Sequence, residues 1–295
     1  MKKFLLAVAA LLMVASISTS CKRGELKGFK KTKAGLYYKF HTKTDSPRAE
    51  IGDIVVAEVW VYVAGELEFT NEGAPEALFQ VQPSQYPGDW GDALLLIGAG
   101  DSVTFAFDFE QYRKHNPTAP EEEHRFTHYT IKVEGIYSME DFQIKMEEDQ
   151  IKGEAEEAMR LEAYMKDNRI TAKPNADGIY TIATTAGRGA TVATGKTVVL
   201  NYTGSFLDGK VFDTSLEDVA KEHDVFNAMR TYEPLSFLIG SGQMIPGIEL
   251  GVTGLRVGTK ARLIIPSNMA YGGRPDPTIP AFSTLVFDVE ILEVK

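Results

Sequence analysis

The chain has 295 residues, a formal net charge of −10 and one cysteine. The acidic balance argues against nucleic-acid binding, because the phosphate backbone selects basic surfaces. One cysteine excludes an intramolecular disulfide, so packed cores must stabilise the fold, and the length suffices for two domains.

The first twenty residues have the pattern of a secretory signal peptide. Two lysines precede an uncharged apolar run that is too short to span a bilayer, and small residues then lead to Cys21. This arrangement resembles a bacterial lipoprotein signal. We predict a signal peptide over 1–20, lipidation at Cys21, a linker over 21–34, and a membrane-anchored location in the cell envelope that faces the periplasm. An ordinary signal peptide or a lone buried thiol is the alternative.

Residues 35–138 form the first of two β-rich segments, in which short alternating runs are broken by glycine and proline. The second segment covers 171–295 and resembles the first at a constant offset. Gly35-Leu36-Tyr37 corresponds to Gly178-Ile179-Tyr180, which lies 143 residues later. Such an internal repeat predicts two copies of one fold. The fold class is therefore α+β, predominantly β, with antiparallel sheets.

Residues 139–170 separate the two copies, and their composition predicts a long connecting helix. Glycine and proline are rare there, while Glu, Ala, Met and Lys dominate. Apolar residues at helical spacing predict the buried face, and the glutamates predict a solvated face. The buried set is Ile151, Ala155, Ala158 and Met165, and the solvated set is Glu147, Glu148, Glu154, Glu156 and Glu157.

A short helical turn is predicted directly after Pro246, because proline suits the first position of a helix. Ile248, Leu250 and Val252 are expected to face inward from this turn.

Six motifs in the second copy occur in the order typical of one family. They are Val198–Gly204, Asp208–Ser215, Pro234–Phe237, Gly240–Gly247, Leu263–Pro266 with Ala270–Gly272, and Thr284–Glu290. From about Asn175 to the C-terminus the chain resembles FKBP-type peptidyl-prolyl cis-trans isomerases. The resemblance implies a bent antiparallel sheet wrapped around a short helix, with the active site in the cleft between them.

The resemblance also assigns the residues of that cleft and implies that no cofactor or metal is needed. Catalytic roles fall on Tyr202, Phe212, Asp213, Tyr271 and Phe287. Substrate-binding roles fall on Leu235, Met244, Ile245, Ile248 and Ile279. The Ile245 N–H and the Tyr271 hydroxyl would hold substrate carbonyls, and Asp213 would orient polar groups at the cleft edge. The implied partners are proline-containing, unfolded or partly folded polypeptides.

Two positions of the cleft depart from the family pattern. Its floor is commonly a tryptophan and here is Ile248, and one wall is commonly an aromatic residue and here is Leu235. The leading hypothesis is an isomerase that assists the folding of exported proteins. The alternatives are a non-catalytic peptide-binding chaperone that keeps the fold and a purely structural surface lipoprotein. The rim segment Gly273 to Pro280 is short and contains three prolines, which predicts a stiff rim.

An insertion over 216–232 is predicted to form a short amphipathic helix beside the cleft, with a role in peptide selection or none. Its apolar positions are Val219, His223, Phe226 and Met229.

The first copy lacks the site residues, because Val59 stands at the position that corresponds to Tyr202 and Thr70 at the position that corresponds to Asp213. We expect no isomerase activity there. Trp60, Trp90 and Tyr86 could hold peptides, although an aromatic core is the simpler interpretation. His124 and His128 lie four apart on a predicted strand, where that spacing separates them by about 13 Å, so we predict no shared metal ion.

Overall fold

The computed structural model describes residues 26–119, 124–274 and 278–295. The chain divides into two compact units, Met1–Met139 and Glu140–Lys295. The predicted signal peptide, the lipidation site Cys21 and the rim residues Pro275 and Pro277 lie outside the described residues. Within the described part of the chain, no helix is long and apolar enough to cross a bilayer.

The first unit contains a seven-stranded antiparallel sheet and two short helices. Its described elements are β1 Lys30–Lys31, β2 Tyr37–Thr42, β3 Ile54–Val63, β4 Glu66–Thr70, β5 Ala77–Gln80, α1 Trp90–Leu94, β6 Ser102–Asp108, α2 Phe109–His115 and β7 Phe126–Tyr137. The strand order is β1-β2-β6-β7-β3-β4, and β5 pairs with β3.

The second unit contains a six-stranded antiparallel sheet preceded by a long helix. Its described elements are α3 Met139–Asp167, β8 Tyr180–Thr185, β9 Thr197–Phe206, β10 Val211–Thr214, α4 Glu217–Glu222, β11 Leu235–Leu238, α5 Pro246–Val252, β12 Lys260–Ile265, a 3-10 turn Ser267–Met269 and β13 Leu285–Val294. The strand order is β10-β9-β13-β12-β8, and β11 pairs with β9.

The two sheets share one topology. The path β2-β6-β7-β3-β4 corresponds strand by strand to β8-β12-β13-β9-β10, and the short strands β5 and β11 pair with β3 and β9 in the same way. A short helix precedes β6 in one unit and β12 in the other. The predicted internal repeat and the α+β class with antiparallel sheets are confirmed.

Each sheet has its own core because apolar side chains alternate along its strands. Val55 and Ala57 in β3 are 0% exposed, as is Val198 in β9, while Leu200 is 1% exposed. Fully burying one valine or leucine side chain stabilises the fold by about 1.5–3 kcal/mol. The face of β9 toward the core is the face that carries Tyr202, so core packing also orients a predicted site residue.

The short helix of the second unit begins at Pro246, as predicted. Ile248 and Val252 are buried, but Leu250 is 42% exposed. The inward position predicted for Leu250 is wrong, because residues two apart in a helix point in different directions.

Helix α3 confirms the predicted long helix, but its buried face differs from the prediction. Ile151 is 61% exposed, whereas Gly153 and Glu157 are the buried residues. A glycine lets another segment approach the helix closely, and a carboxylate can be buried when donors satisfy it. The solvated position predicted for Glu157 is therefore wrong.

The insertion over 216–232 contains a shorter helix than predicted. Helix α4 ends at Glu222, and Asp224 adopts a φ of +58°, which is incompatible with a continuing helix. Ala220 is its buried residue, while Met229 is 97% exposed. Phe226 stacks on Tyr232 at a centroid distance of 5.6 Å, so the rest of the insertion is an irregular loop with its own packing.

Candidate active site

Eight of the ten predicted cleft side chains belong to one apolar cluster in the second unit. Three of them are buried core residues, and five are partly buried and pack against that core. The buried residues are Ile248, Ile279 and Phe287. The partly buried residues are Tyr202, Phe212, Leu235, Met244 and Ile245. Four strands, the loop that leads into α5, α5 itself and the segment after the 3-10 turn contribute them, so the cleft depends on packing between segments that are distant in the sequence. Their assigned roles stay predictions.

Three aromatic rings form the centre of this cluster. The Phe287 ring lies 6.2 Å from Tyr202 and 5.7 Å from Phe212 between centroids, the latter in an edge-on arrangement. Gly204 on β9 makes room for them, because a Cβ there would lie 2.7 Å from Phe212 and 2.9 Å from Phe287. A side chain at this position would displace the rings.

A polar group of three residues lies at the edge of the aromatic cluster. The Tyr202 hydroxyl donates to Asp213 Oδ2 at 2.6 Å, and Arg230 forms an ion pair with Asp213 Oδ1. Arg230 also donates to the Tyr202 hydroxyl at 3.0 Å, and the Thr214 N–H donates to Asp213 Oδ1 at 2.8 Å. Asp213 therefore accepts three donors at once.

These contacts shift the ionisation of the tyrosine. Burial, and then the hydrogen bond to Asp213, raises the pKa of Tyr202 to about 12. The phenol therefore stays protonated at neutral pH and acts as a hydrogen-bond donor. The hydrogen bond to Asp213 raises the pKa of Arg230 above its already high value, so this cation is permanent.

Arg230 is a site residue that sequence reasoning missed. It lies in the irregular part of the 216–232 loop, 17 residues after Asp213, and a helical pattern had been assigned to this stretch. Because the contact depends on a loop without sequence periodicity, only an unexplained arginine beside a predicted acid could have suggested it.

Glu249 is a second missed residue, and it holds the loop that leads into the cleft. It is 8% exposed, and its carboxylate accepts from the N–H groups of Gly240 at 2.7 Å and Gly242 at 3.1 Å. This loop ends at Ile245, whose N–H has no hydrogen-bond acceptor among the described residues. The Ile245 N–H is thus the kind of donor that a substrate carbonyl needs.

Tyr271 lies on the segment 267–284 between β12 and β13, which contains the predicted rim 273–280 and is called the rim segment below. It follows the 3-10 turn and is 42% exposed. The rim is closed by two backbone hydrogen bonds, from the Gly272 N–H to Ser267 at 2.8 Å and from the Phe282 N–H to Gly272 at 2.9 Å. Ile279 lies on the same segment but is 4% exposed, so the rim contributes one surface residue and one core residue.

The first unit contains different side chains at the corresponding positions. Val59 corresponds to Tyr202, because Asn71 bonds to the Val59 backbone as Ser215 bonds to that of Tyr202. This pairing makes Phe69, and not the predicted Thr70, the counterpart of Asp213. The prediction was off by one because the hairpin turn of the second unit is one residue longer: Ser205 pairs with Val211, six residues later, whereas Tyr62 pairs with Leu67, five residues later.

Trp90 in α1 occupies the place that Ile248 occupies in α5. Its ring packs against Phe107 at 4.7 Å, Tyr129 at 4.9 Å and Phe79 at 5.4 Å between centroids. Tyr129 corresponds to Phe287 through the matched pairing of β7 and β13. The cleft position of the first unit is therefore filled by aromatic packing.

Tyr86 and Trp60, the other two aromatics considered for peptide holding, lie elsewhere. Tyr86 stacks on His115, and Trp60 donates to Glu72 at 3.2 Å. Across the described residues, no three His, Cys, Asp or Glu side chains converge to hold a metal ion.

Residues 189–292 match the model of the family described as FKBP-type peptidyl-prolyl cis-trans isomerase. FkpA of Escherichia coli (strain K12), described as an FKBP-type peptidyl-prolyl cis-trans isomerase, is 37% identical over 153 residues, which are 52% of this chain and 50% of that protein. FK506-binding protein 4 of Gibberella zeae is 43% identical over 111 residues, 38% of this chain and 20% of that protein.

A crystal structure of FkpA from Escherichia coli has 37% sequence identity and a TM-score of 0.40, with coverage of 52% of this chain and 64% of that chain. The present chain thus spans about half the length of the bacterial relative and about a fifth of the fungal one.

Proposed function

We propose that this chain, whose second unit carries an FKBP-type peptidyl-prolyl cis-trans isomerase domain, accelerates rotation about the peptide bond before proline. The observation that carries the proposal is the single apolar cluster formed by eight predicted cleft residues, with the Tyr202–Asp213–Arg230 group at its edge. The substrates are proline-containing polypeptides that are unfolded or partly folded.

The chemistry needs an apolar cleft more than a reactive group. Uncatalysed rotation crosses a barrier of about 18–20 kcal/mol, because twisting the amide interrupts its resonance. The twisted amide has less charge separation than the planar one, so an apolar site that excludes water favours the twisted state. Phe287, Phe212 and Ile248 supply such a surface, and Tyr202 adds an aromatic wall that stays protonated.

Two donors would fix the substrate while the bond rotates. The Ile245 N–H, which has no acceptor among the described residues, would bind one substrate carbonyl. The Tyr271 hydroxyl would bind another. Asp213 has a second role in this chain, because its carboxylate binds Arg230 and so attaches the 216–232 loop to the cleft edge.

The setting of this activity belongs to the same proposal. An apolar leader that ends at Cys21 supports export and lipid anchoring in the cell envelope, facing the periplasm. The clients would then be exported proteins that fold outside the cytoplasm.

One observation favours a second candidate function. Ile248 and Leu235 give the cleft a smaller apolar surface than aromatic residues would give, which weakens the grip on a proline ring. A non-catalytic peptide-binding chaperone with the same fold would suppress aggregation without accelerating rotation.

A coupled protease assay on short Xaa-Pro peptides tests the two functions. Residues 21–295 are compared with a Tyr271→Ala, Asp213→Ala double variant. The matched control is Asp288→Ala, which also removes an acid from an exposed ion pair with arginine, on the same sheet. Acceleration that is lost in the double variant and kept in the control supports the isomerase. No acceleration by the wild-type chain, whatever residue precedes proline, overturns it in favour of peptide binding.

A further inference from the structure

Glu157 is a buried carboxylate that the proposed mechanism does not use. It is 7% exposed on α3, and its Oε1 accepts from the Ser267 N–H at 2.7 Å and from the Thr284 hydroxyl at 2.5 Å. Its Oε2 accepts from the Ser267 hydroxyl at 2.5 Å. Among the described residues no cation pairs with it. Such a group is retained only where hydrogen bonds satisfy it fully.

The two partners of Glu157 are the two ends of the rim segment. Ser267 begins the 3-10 turn just after β12, and Thr284 directly precedes β13. The residues between them include Tyr271 and Ile279, both assigned to the cleft. One carboxylate of α3 therefore holds both ends of the segment that presents Tyr271.

A second contact lies one helical turn earlier on α3. Phe282 packs against Gly153 so closely that a Cβ on the glycine would lie 2.3 Å from its ring. Phe282 has a φ of +55°, a left-handed conformation that is strained for a residue with a side chain. Its carbonyl accepts from Arg160 at 2.9 Å and its N–H donates to Gly272 at 2.9 Å, next to Tyr271. Contacts with the helix thus maintain a strained rim residue.

We propose that α3 is a positioning element of the active site, in which Glu157 and Gly153 fix the rim and thereby place the Tyr271 hydroxyl. The inference rests on the proposed isomerase function. Glu157 is a positioning residue, because it acts through Tyr271 and does not line the cleft. The helix between the two copies is thus part of the catalytic apparatus as well as a connector.

The test is a double-mutant cycle between Glu157→Ala and Tyr271→Phe in the full-length protein. If Glu157 acts by placing the Tyr271 hydroxyl, Glu157→Ala lowers kcat/KM about tenfold in the wild-type background and less than about twofold in the Tyr271→Phe background. Equal losses in both backgrounds overturn the proposal, since a general loss of structure is indifferent to the hydroxyl.

Two further variants keep the result interpretable. Glu157→Gln retains an acceptor for the Ser267 N–H and a donor for the Ser267 hydroxyl, so it should restore most of the activity that Glu157→Ala loses. Glu162→Ala removes an exposed acid from the same helix and should have no effect. A Glu162→Ala loss equal to that of Glu157→Ala would overturn the proposal.

Amide hydrogen exchange separates this inference from the proposed function. If the wild-type chain has no isomerase activity, the function fails, but the rim can still be examined. The amides of Gly272 and Phe282 should exchange faster in Glu157→Ala than in Glu157→Gln and Glu162→Ala, with β9 amides unchanged. Unchanged exchange at both rim amides would overturn the positioning role on its own.

Discussion

The two units share one strand order but have different side chains at corresponding positions of the cleft. At one position of the shared sheet the second unit has Tyr202 and the first has Val59, and at another the second has Asp213 and the first has Phe69. The second unit thus has a polar group on an aromatic wall, and the first has apolar side chains in both places. The shared topology positions a cleft, and a few side chains decide its chemistry.

At the floor of the cleft, the first unit has the larger aromatic residue. Trp90 of the first unit occupies the position of Ile248 and contacts three aromatic rings, whereas Ile248 presents a smaller apolar side chain in the second unit. A larger aromatic residue at this position buries more apolar surface and strengthens the packing around it. The first unit therefore gains packing at the position where the second unit has a smaller floor.

The largest effect that sharpens this comparison is expected from Trp90→Ala. Trp90 is partly buried against the core of the first unit, so its loss should cost an amount toward the lower end of the about 3–5 kcal/mol that a fully buried aromatic residue contributes, and the first unit should unfold at lower denaturant concentration. Isomerase activity of the second unit should be unchanged. Denaturation followed by circular dichroism and the peptide assay check both statements, and a loss of activity with an intact first unit would contradict them.

Gly204→Ala tests the room that the second unit keeps for its rings. The added methyl group would lie 2.7 Å from Phe212, and such overpacking costs about 1–3 kcal/mol. We expect lower stability and reduced kcat/KM. The corresponding residue of the first unit is Val61, which already carries a side chain, so Val61→Ala serves as the control and should leave activity intact.

The ionisation of Tyr202 gives a pH test of the polar group that Val59 cannot form. The pKa of Tyr202 is raised to about 12, whereas an unfolded tyrosine titrates near pH 10, at about its reference value. The folded state then binds more protons between these values, so the stabilisation is complete below about pH 10 and is lost as the pH rises toward 12. Ultraviolet titration of the wild type against Tyr202→Phe should reveal one late-ionising phenol, and superimposable curves would refute it.

The smallest stability effect is expected from Arg230→Ala. Both partners of the Asp213 ion pair are more than a third exposed, so the change in unfolding free energy should stay below about 1 kcal/mol. Activity should become less sensitive to added salt, because the contact between the loop and the cleft edge is lost. Arg262→Ala removes the Asp288 pair and should keep the salt response of the wild type. Identical salt responses of the two variants would contradict this.

Local patterns predicted much of this architecture. The alternating strands, the repeat and the helix start at Pro246 follow from periodicity and backbone preferences, which act over a few residues. The ordered motifs also identified eight cleft residues that the structure places in one cluster. These features depend on neighbours in the sequence or on the shared fold.

Features that depend on distant partners were missed. The burial of Glu157 is explained by donors 110 and 127 residues away, and the role of Arg230 by a loop without periodicity. The counterpart of Asp213 was assigned one residue off, because the hairpin turn before it is one residue longer in the second unit, and a constant offset between the copies does not reveal where such a residue is added. Hydrogen bonding and register are properties of the assembled sheet.

The bulge in β10 has a further consequence for a protein proposed to meet extended polypeptides. β10 is an edge strand of four residues, and its pairing with β9 shifts between Val211 and Asp213. A short, kinked edge offers few aligned backbone groups to an incoming strand. Extended chains can therefore contact the cleft beside this edge without being recruited into a growing intermolecular sheet, and the same irregularity that turns Asp213 toward Tyr202 also guards against aggregation.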